Sequence, residues 1–229
     1  MTRGPGRGGA TRGKNIPGAG KLVKLVNGTG GFPGQGPWQP DKYKGLPQRK
    51  GKNPPLPNAM RGQIGNDLSE AAAKKRGESV IAKEVRFHEP GDWKDVTKAD
   101  HVVKMPDGKI NGVEIKSGGG ELTDQQKKFY PRIPDGNVEV GSSSLKDEGL
   151  PKRHVLTPGE IPEVRVERWD VDSMPTSTKN ALEHHTVQDV LDGKAGPAEQ
   201  QALDNWMGQS GSRVVETTYR QTPPAAPTP

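Results

Sequence analysis

The chain has no cysteine among its 229 residues. That excludes disulfides, a thiolate metal site and a cysteine nucleophile. Aromatic residues make up only 4% and apolar residues 29% of the total, too little for the whole chain to pack around a core. No stretch approaches the ~18 consecutive apolar residues of a membrane span. The opening "MTRGPGRGGATRGK" lacks the apolar centre of a secretory signal. These absences predict a protein without a membrane segment, whose export would use a route other than a classical signal peptide.

Acidic residues are scarce in one region only. Residues 1–60 carry 14 glycines, 9 prolines and 11 Lys or Arg against the single acid Asp41, a net charge of +10. The whole chain sums to +6, so residues 61–229 sum to 6 − 10 = −4. The composition predicts a basic, disordered Gly/Pro-rich arm over 1–64, in which "KLVKLV" (21–26) is the one apolar patch. Such an arm serves as a flexible connector, or holds a polyanion by counterion release without sequence preference. The folded domain is expected over 65–215, and "QTPPAAPTP" belongs to a disordered tail over 216–229.

Within the domain, "NDLSEAAAKKRG" reads as a helix opening at Asn66 and stopping at Gly77. "ESVIAKEVRF" (78–87) reads as a strand ended by "HEPGD". "ADHVVKM" and "INGVEIK" flank "PDGK", whose Pro and Asp-Gly suit a tight turn between antiparallel strands. In "SGGGELTDQQKKFY", Thr123 and Gln126 have the spacing of a capping box, and Pro131 and Pro134 end the helix. "NVEVGS" (137–142) and "VRVERWDV" (164–171) predict further strands. Polar helices are predicted around "TKNALEHHTVQDVL" and "AEQQALDNWM", where Trp169 and Trp206 are read as core.

Glu114 and Lys116 lie two apart on a strand and therefore share a face, opposite Val113 and Ile115, with Gly112 keeping the polar face open. If the hairpin pairs across "PDGK", Asp100 reaches the same side. Two carboxylates beside one ammonium suit a hard divalent cation such as Mg²⁺ or Mn²⁺, which takes carboxylate, water and phosphate oxygens. The chemistry that follows is phosphodiester hydrolysis, with Lys116 orienting water or offsetting charge on the phosphate.

The order Asp100, "PDG", "VEIKSG" resembles the D...ExK pattern of PD-(D/E)XK superfamily nucleases, with Ala99 standing where the superfamily name has proline. "ELTDQQ" is similar to the LTxxQ helix of several bacterial polymorphic, contact-delivered toxin branches. The resemblance covers residues 66–142. It implies an α/β fold with an αβββα core, a central mixed sheet flanked by helices, and a metal-dependent endonuclease acting on DNA.

 Asp100 and Glu114 would be its metal ligands and Lys116 its water-orienting group. Gln126 would join the site from the following helix, and Glu70 would assist from the opening helix, with Glu78 behind it. It further implies a bacterial antibacterial effector, secreted or delivered into a target cell's cytoplasm and blocked by a cognate immunity protein; toxin branches that cut RNA keep that substrate open.

Two other readings compete. The charged strand face could be inert on a nucleic-acid-binding or structural protein whose affinity comes from the arm. His184-His185 could centre an HNH-type nuclease, but no histidine follows His185 to complete such a site. The glycines of "GPGRGG" and "GAGK" neither follow a strand nor precede a Lys-Ser/Thr helix, which argues against a P-loop.

Overall fold

A computed structural model describes residues 56–221; residues 1–55 of the arm expected over 1–64, with "KLVKLV" among them, and the residues from 222 of the tail expected over 216–229 lie outside the described residues. Helix α1 (Asn58–Lys75) is followed by strands β1 (Ser79–Glu89), β2 (Asp92–Lys104) and β3 (Ile110–Ser117), then helix α2 (Asp124–Phe129). After them come β4 (Glu139–Val140), β5 (Glu163–Trp169), the short helices α3 (Thr176–Ala181) and α4 (Val187–Leu191), α5 (Pro197–Met207) and β6 (Arg213–Arg220). The six strands form one mixed sheet in the order β4-β1-β2-β3-β5-β6. β3 and β5 are parallel and every other pairing is antiparallel.

Neighbouring strand residues project to opposite faces, so the sheet carries two cores. Val103, Val113, Ile115 and Trp169 pack with α1, α4 and α5 on one face, where the Trp169 and Trp206 rings lie 6.1 Å apart. Val102, Val164, Val166, Phe129 and Tyr130 pack on the other face, which α2 covers.

Several elements depart from the sequence-based expectations. α1 starts at Asn58, not Asn66. Met60, Ile64 and Leu68 recur every four residues and bury in the first core, and the helix runs through Gly65, which faces β3 where a Cβ would make ordinary contact at 3.5 Å from Ile115 Cγ2. β2 begins at Asp92, well before Ala99, because "DWKDVTK" pairs along β1 despite its charge. The strand expected over 137–142 is reduced to two residues, and the helix expected around "TKNALEHHTVQDVL" is two helices separated by residues 182–186, the last of which, Thr186, caps α4 through a capping box with Asp189. Residues 216–220, expected in the tail, form most of β6, which pairs with β5. Gly112 does not keep a polar face open; its absent side chain makes room for Val164, whose Cγ2 would lie 3.1 Å from a Cβ.

Gly136 has a stricter requirement. It adopts φ +80°, and a Cβ there would fall 2.3 Å from the backbone nitrogen of Pro158. Backbone cannot retreat as a side-chain tip can, so Gly136→Ala is expected to destabilise by roughly 2–3 kcal/mol. A denaturant melt reads this directly, and an unchanged midpoint would show that the 136 and 157–158 segments are not packed as described.

Candidate active site

The β2–β3 ladder runs from the turn to His101 opposite Val113 and stops there. The next facing positions are Asp100 and Glu114. Both neighbours of β2 contribute to the opening. On β1, Ala82 and Val85 are three apart yet join the same core, as do Ala99 and Val102 on β2. The regular alternation is therefore broken in both strands, and between Ala82 and Val85 stands Glu84, a non-glycine residue at φ 55°. Freed from the ladder, the Asp100 carboxylate takes the place of a partner strand: its Oδ2 accepts the backbone N–H of Ile115 at 2.8 Å.

Glu114 is 2% exposed and both its oxygens are held. Oε1 accepts from Gln126 Nε2 at 2.6 Å and lies 2.8 Å from Lys116 Nζ. Oε2 lies 2.5 Å from the Tyr130 hydroxyl, which is also 2.6 Å from the carbonyl oxygen of Lys98. The one phenolic proton stands between two acceptors. Gln126 serves two ends at once, since its Oε1 accepts both the Thr123 backbone N–H that completes the capping box and the Lys116 ammonium, each at 3.0 Å. The same glutamine that starts α2 therefore ties that helix to the carboxylate.

Burial, then the nearby Glu114 charge, push the Asp100 carboxyl up to about 7, against the opposing pull of Ile115 N–H and Lys116. Burial and the same Glu114 charge raise the Tyr130 phenol far above its ordinary range, so it stays a protonated donor. Burial beside Glu114 thus favours the protonated form of Asp100 when no cation is bound. Among the described residues no group of three or more His, Cys, Asp or Glu side chains comes together. Mg²⁺ needs only one or two carboxylates alongside waters and substrate phosphate, so Asp100 and Glu114 are a donor set that fits it.

The structure brings together Asp100, Glu114, Lys116 and Gln126, four of the five expected site residues. Glu70 is not among them. Its carboxylate binds Lys83 Nζ at 2.5 Å, and Lys83 stands opposite His101, whose side chain faces α1 rather than α2. Glu70 therefore sits across the sheet, because α1 packs on the first core. Glu78 is also elsewhere, buried between Arg76 and Arg165. Burial alone would raise its carboxyl, but the hydrogen bonds and charges of the two arginines take it down to about 2. His184 and His185 lie in the turn between α3 and α4.

Tyr130 was not among the expected site residues. The available signal is its spacing: Gln126 and Tyr130 are four apart across α2 and the 3₁₀ turn that continues it (Tyr130–Arg132), and so share a face. Tyr130→Phe leaves Glu114 Oε2 buried without its donor, which is expected to destabilise by roughly 1–3 kcal/mol. Chemical denaturation of the variant reads that loss, and full wild-type stability would contradict the bond.

Comparison with protein-family models, curated proteins and solved structures gave no match.

Proposed function

We propose that the protein is a Mg²⁺- or Mn²⁺-dependent phosphodiester hydrolase of the PD-(D/E)XK type, cutting nucleic acid, with DNA as the first substrate to test and RNA as the second. The convergence of Asp100, Glu114, Lys116 and Gln126 where the β2–β3 ladder opens carries this reading. It is supported by the order α1-β1-β2-β3-α2, which follows the αβββα order of that core, and by the placing of two acids side by side where burial and the Glu114 charge raise the Asp100 carboxyl.

Asp100 and Glu114 would hold the cation, which supplies Lewis-acid polarisation of a phosphoryl oxygen and a water of lowered pKa. The chain's own groups do the remainder. Ile115 N–H fixes the Asp100 carboxylate, while Gln126 and Tyr130 fix the two oxygens of Glu114. Lys116, 14% exposed and steadied by Gln126, presents an ammonium that can orient the attacking water and offset charge building on the phosphate. The similarity of "ELTDQQ" to toxin branches extends the proposal to an antibacterial effector domain delivered into a target cell, with a cognate immunity protein as its inhibitor. No helix among the described residues is long and apolar enough to cross a membrane.

Incubation of the full chain with plasmid DNA and with structured RNA, with Mg²⁺ and with EDTA, tests the reading. Metal-dependent cleavage of either polymer is the expected result. Retardation of both without cleavage under any divalent cation would replace the hydrolase with a binding protein.

A further inference from the structure

At the turn joining β1 to β2, Trp93 is 38% exposed, while the other large apolar side chains exposed among the described residues, Val155, Val214 and Val215, are aliphatic. Its indole is flanked by three groups. The His88 ring lies 4.5 Å away at 46°, Lys152 Nζ is 5.2 Å from the indole centre and Arg153 Cζ is 5.3 Å from it. Arg86 projects from β1 near His88. None of Arg86, Lys152 and Arg153 forms an ion pair among the described residues, although Asp92 and Glu139 are close by. Glu139 accepts the Gly91 backbone N–H at 3.2 Å instead.

Arg153 reaches the indole from a backbone with φ 74°, a left-handed conformation that residues with side chains seldom adopt. Two backbone bonds with Val140 hold it there, Arg153 N–H to Val140 O and Val140 N–H to His154 O, both 2.8 Å. A strained residue is thus fixed so that an unpaired guanidinium lies over an exposed aromatic ring.

We propose that Trp93, with Arg86, Lys152 and Arg153, is a docking point for single-stranded nucleic acid, with a base stacked on the indole and the cations on flanking phosphates. Exposed cation–π contacts are weak, and the two cations over the ring, Lys152 and Arg153, have long side chains free to turn toward phosphate. Base stacking on an aromatic ring is the stronger contact and tolerates any sequence. A polyanion of flat rings satisfies all four side chains at once; an acidic peptide would leave the indole without a partner. Trp93 lies seven residues along β2 from Asp100, roughly 23 Å at ~3.3 Å per residue; Arg86 and His88, on either side of the core residue Phe87, project from the sheet face opposite Tyr130, so a nucleic-acid strand reaching both places passes over the β1–β2 end of the sheet. The proposal rests on the phosphodiester reading of Asp100 and Glu114, and names the form of substrate that site receives.

The test is ultraviolet crosslinking of the full chain to a thymidine oligonucleotide in EDTA, where no metal-dependent cutting occurs, followed by mass mapping of the nucleotide adduct. An adduct on Trp93 is expected, lost in Trp93→Ala and depleted in a Lys152→Glu, Arg153→Glu double variant. In the same buffer each variant is expected to bind the oligonucleotide roughly tenfold more weakly. Adducts confined to other positions, or unchanged affinity in Trp93→Ala, overturn the proposal. Plasmid cleavage by the wild type separates the two claims: cleavage without a Trp93 adduct sinks the docking point alone, whereas a Trp93 adduct without cleavage in any divalent metal sinks the hydrolase and leaves the surface standing.

Discussion

Asp100→Asn is expected to abolish metal-dependent cleavage, by roughly 10³-fold or more, while leaving the metal-free protein as stable as the wild type or more so. The two effects have one origin. Asparagine keeps an oxygen for the Ile115 N–H bond, so β3 stays tied to β2. It removes the charge that burial and Glu114 make unfavourable in the absence of a cation. Glu114→Ala is expected to lose activity to the same extent but to lose stability as well, because Lys116, Gln126 and Tyr130 are then left around a hole. Lys116→Ala should reduce cleavage by roughly 10²–10³-fold. Cleavage assays read beside thermal melts in EDTA distinguish these variants. An Asp100→Asn protein that still cuts at the wild-type rate would remove the proposed site, and one that melts far below the wild type would show that the acid pair serves the fold and not a cation.

The other large effect lies on the opposite face of the sheet and is independent of any catalytic role. Glu78 and Glu167 are buried with Arg165 between them, the guanidinium donating to Glu78 at 2.5 and 3.1 Å and to Glu167 at 2.8 Å. Arg76 bonds both acids, while Arg213 from β6 and Ser69 from α1 complete the shell of Glu167. This network joins the end of α1, the start of β1, β5 and the edge strand β6. Removing one member leaves the others buried and uncompensated, so Glu78→Ala is expected to destabilise by about 3–5 kcal/mol. For a domain of this size that lowers the melting temperature by roughly 10 °C.

The same network has a pH signature. The Glu78 carboxyl sits at about 2 against an ordinary 4.5, so its contribution is fully present above pH 4.5 and is lost as pH falls toward 2. His101 adds to the loss from a higher starting point. Burial, with Lys83 nearby, holds its imidazole at about 4 against 6.5, so the unfolded chain takes up the proton first and stability declines as pH falls from 6.5 toward 4. The raised Asp100 carboxyl works in the opposite sense between pH 7 and 4, so in an Asp100→Asn background melting temperatures should fall in two stages on acidification, and Glu78→Gln should flatten the lower one. A melting temperature constant from pH 6.5 to pH 3 in that background would contradict both assignments.

Much of the candidate site follows from short-range rules. The two-residue spacing of Glu114 and Lys116 dictates a shared strand face, the "PDGK" turn pairs β2 with β3 antiparallel, and the Thr123–Gln126 capping box starts α2. These hold wherever the segment is placed, because they depend on the strand's period of two and on hydrogen bonds within four residues. The same rules misjudged "RGQIG", where glycine signals a loop locally but burial of Met60, Ile64 and Leu68 carries the helix through it, and "DWKDVTK", where charge conceals a strand whose partner is next to it.

Composition and local pattern were enough by themselves to determine the absence of thiol chemistry, the basic leading region, the hairpin and the pairing of Glu114 with Lys116 on one face. Only the tertiary structure decided that Asp100 meets Glu114, that Tyr130 holds the second oxygen, and that Glu70 belongs to the far side of the sheet. The reason is physical: which face a helix covers, and where two strands cease to pair, depend on cores assembled from residues far apart in the chain, and no short stretch of sequence carries that information.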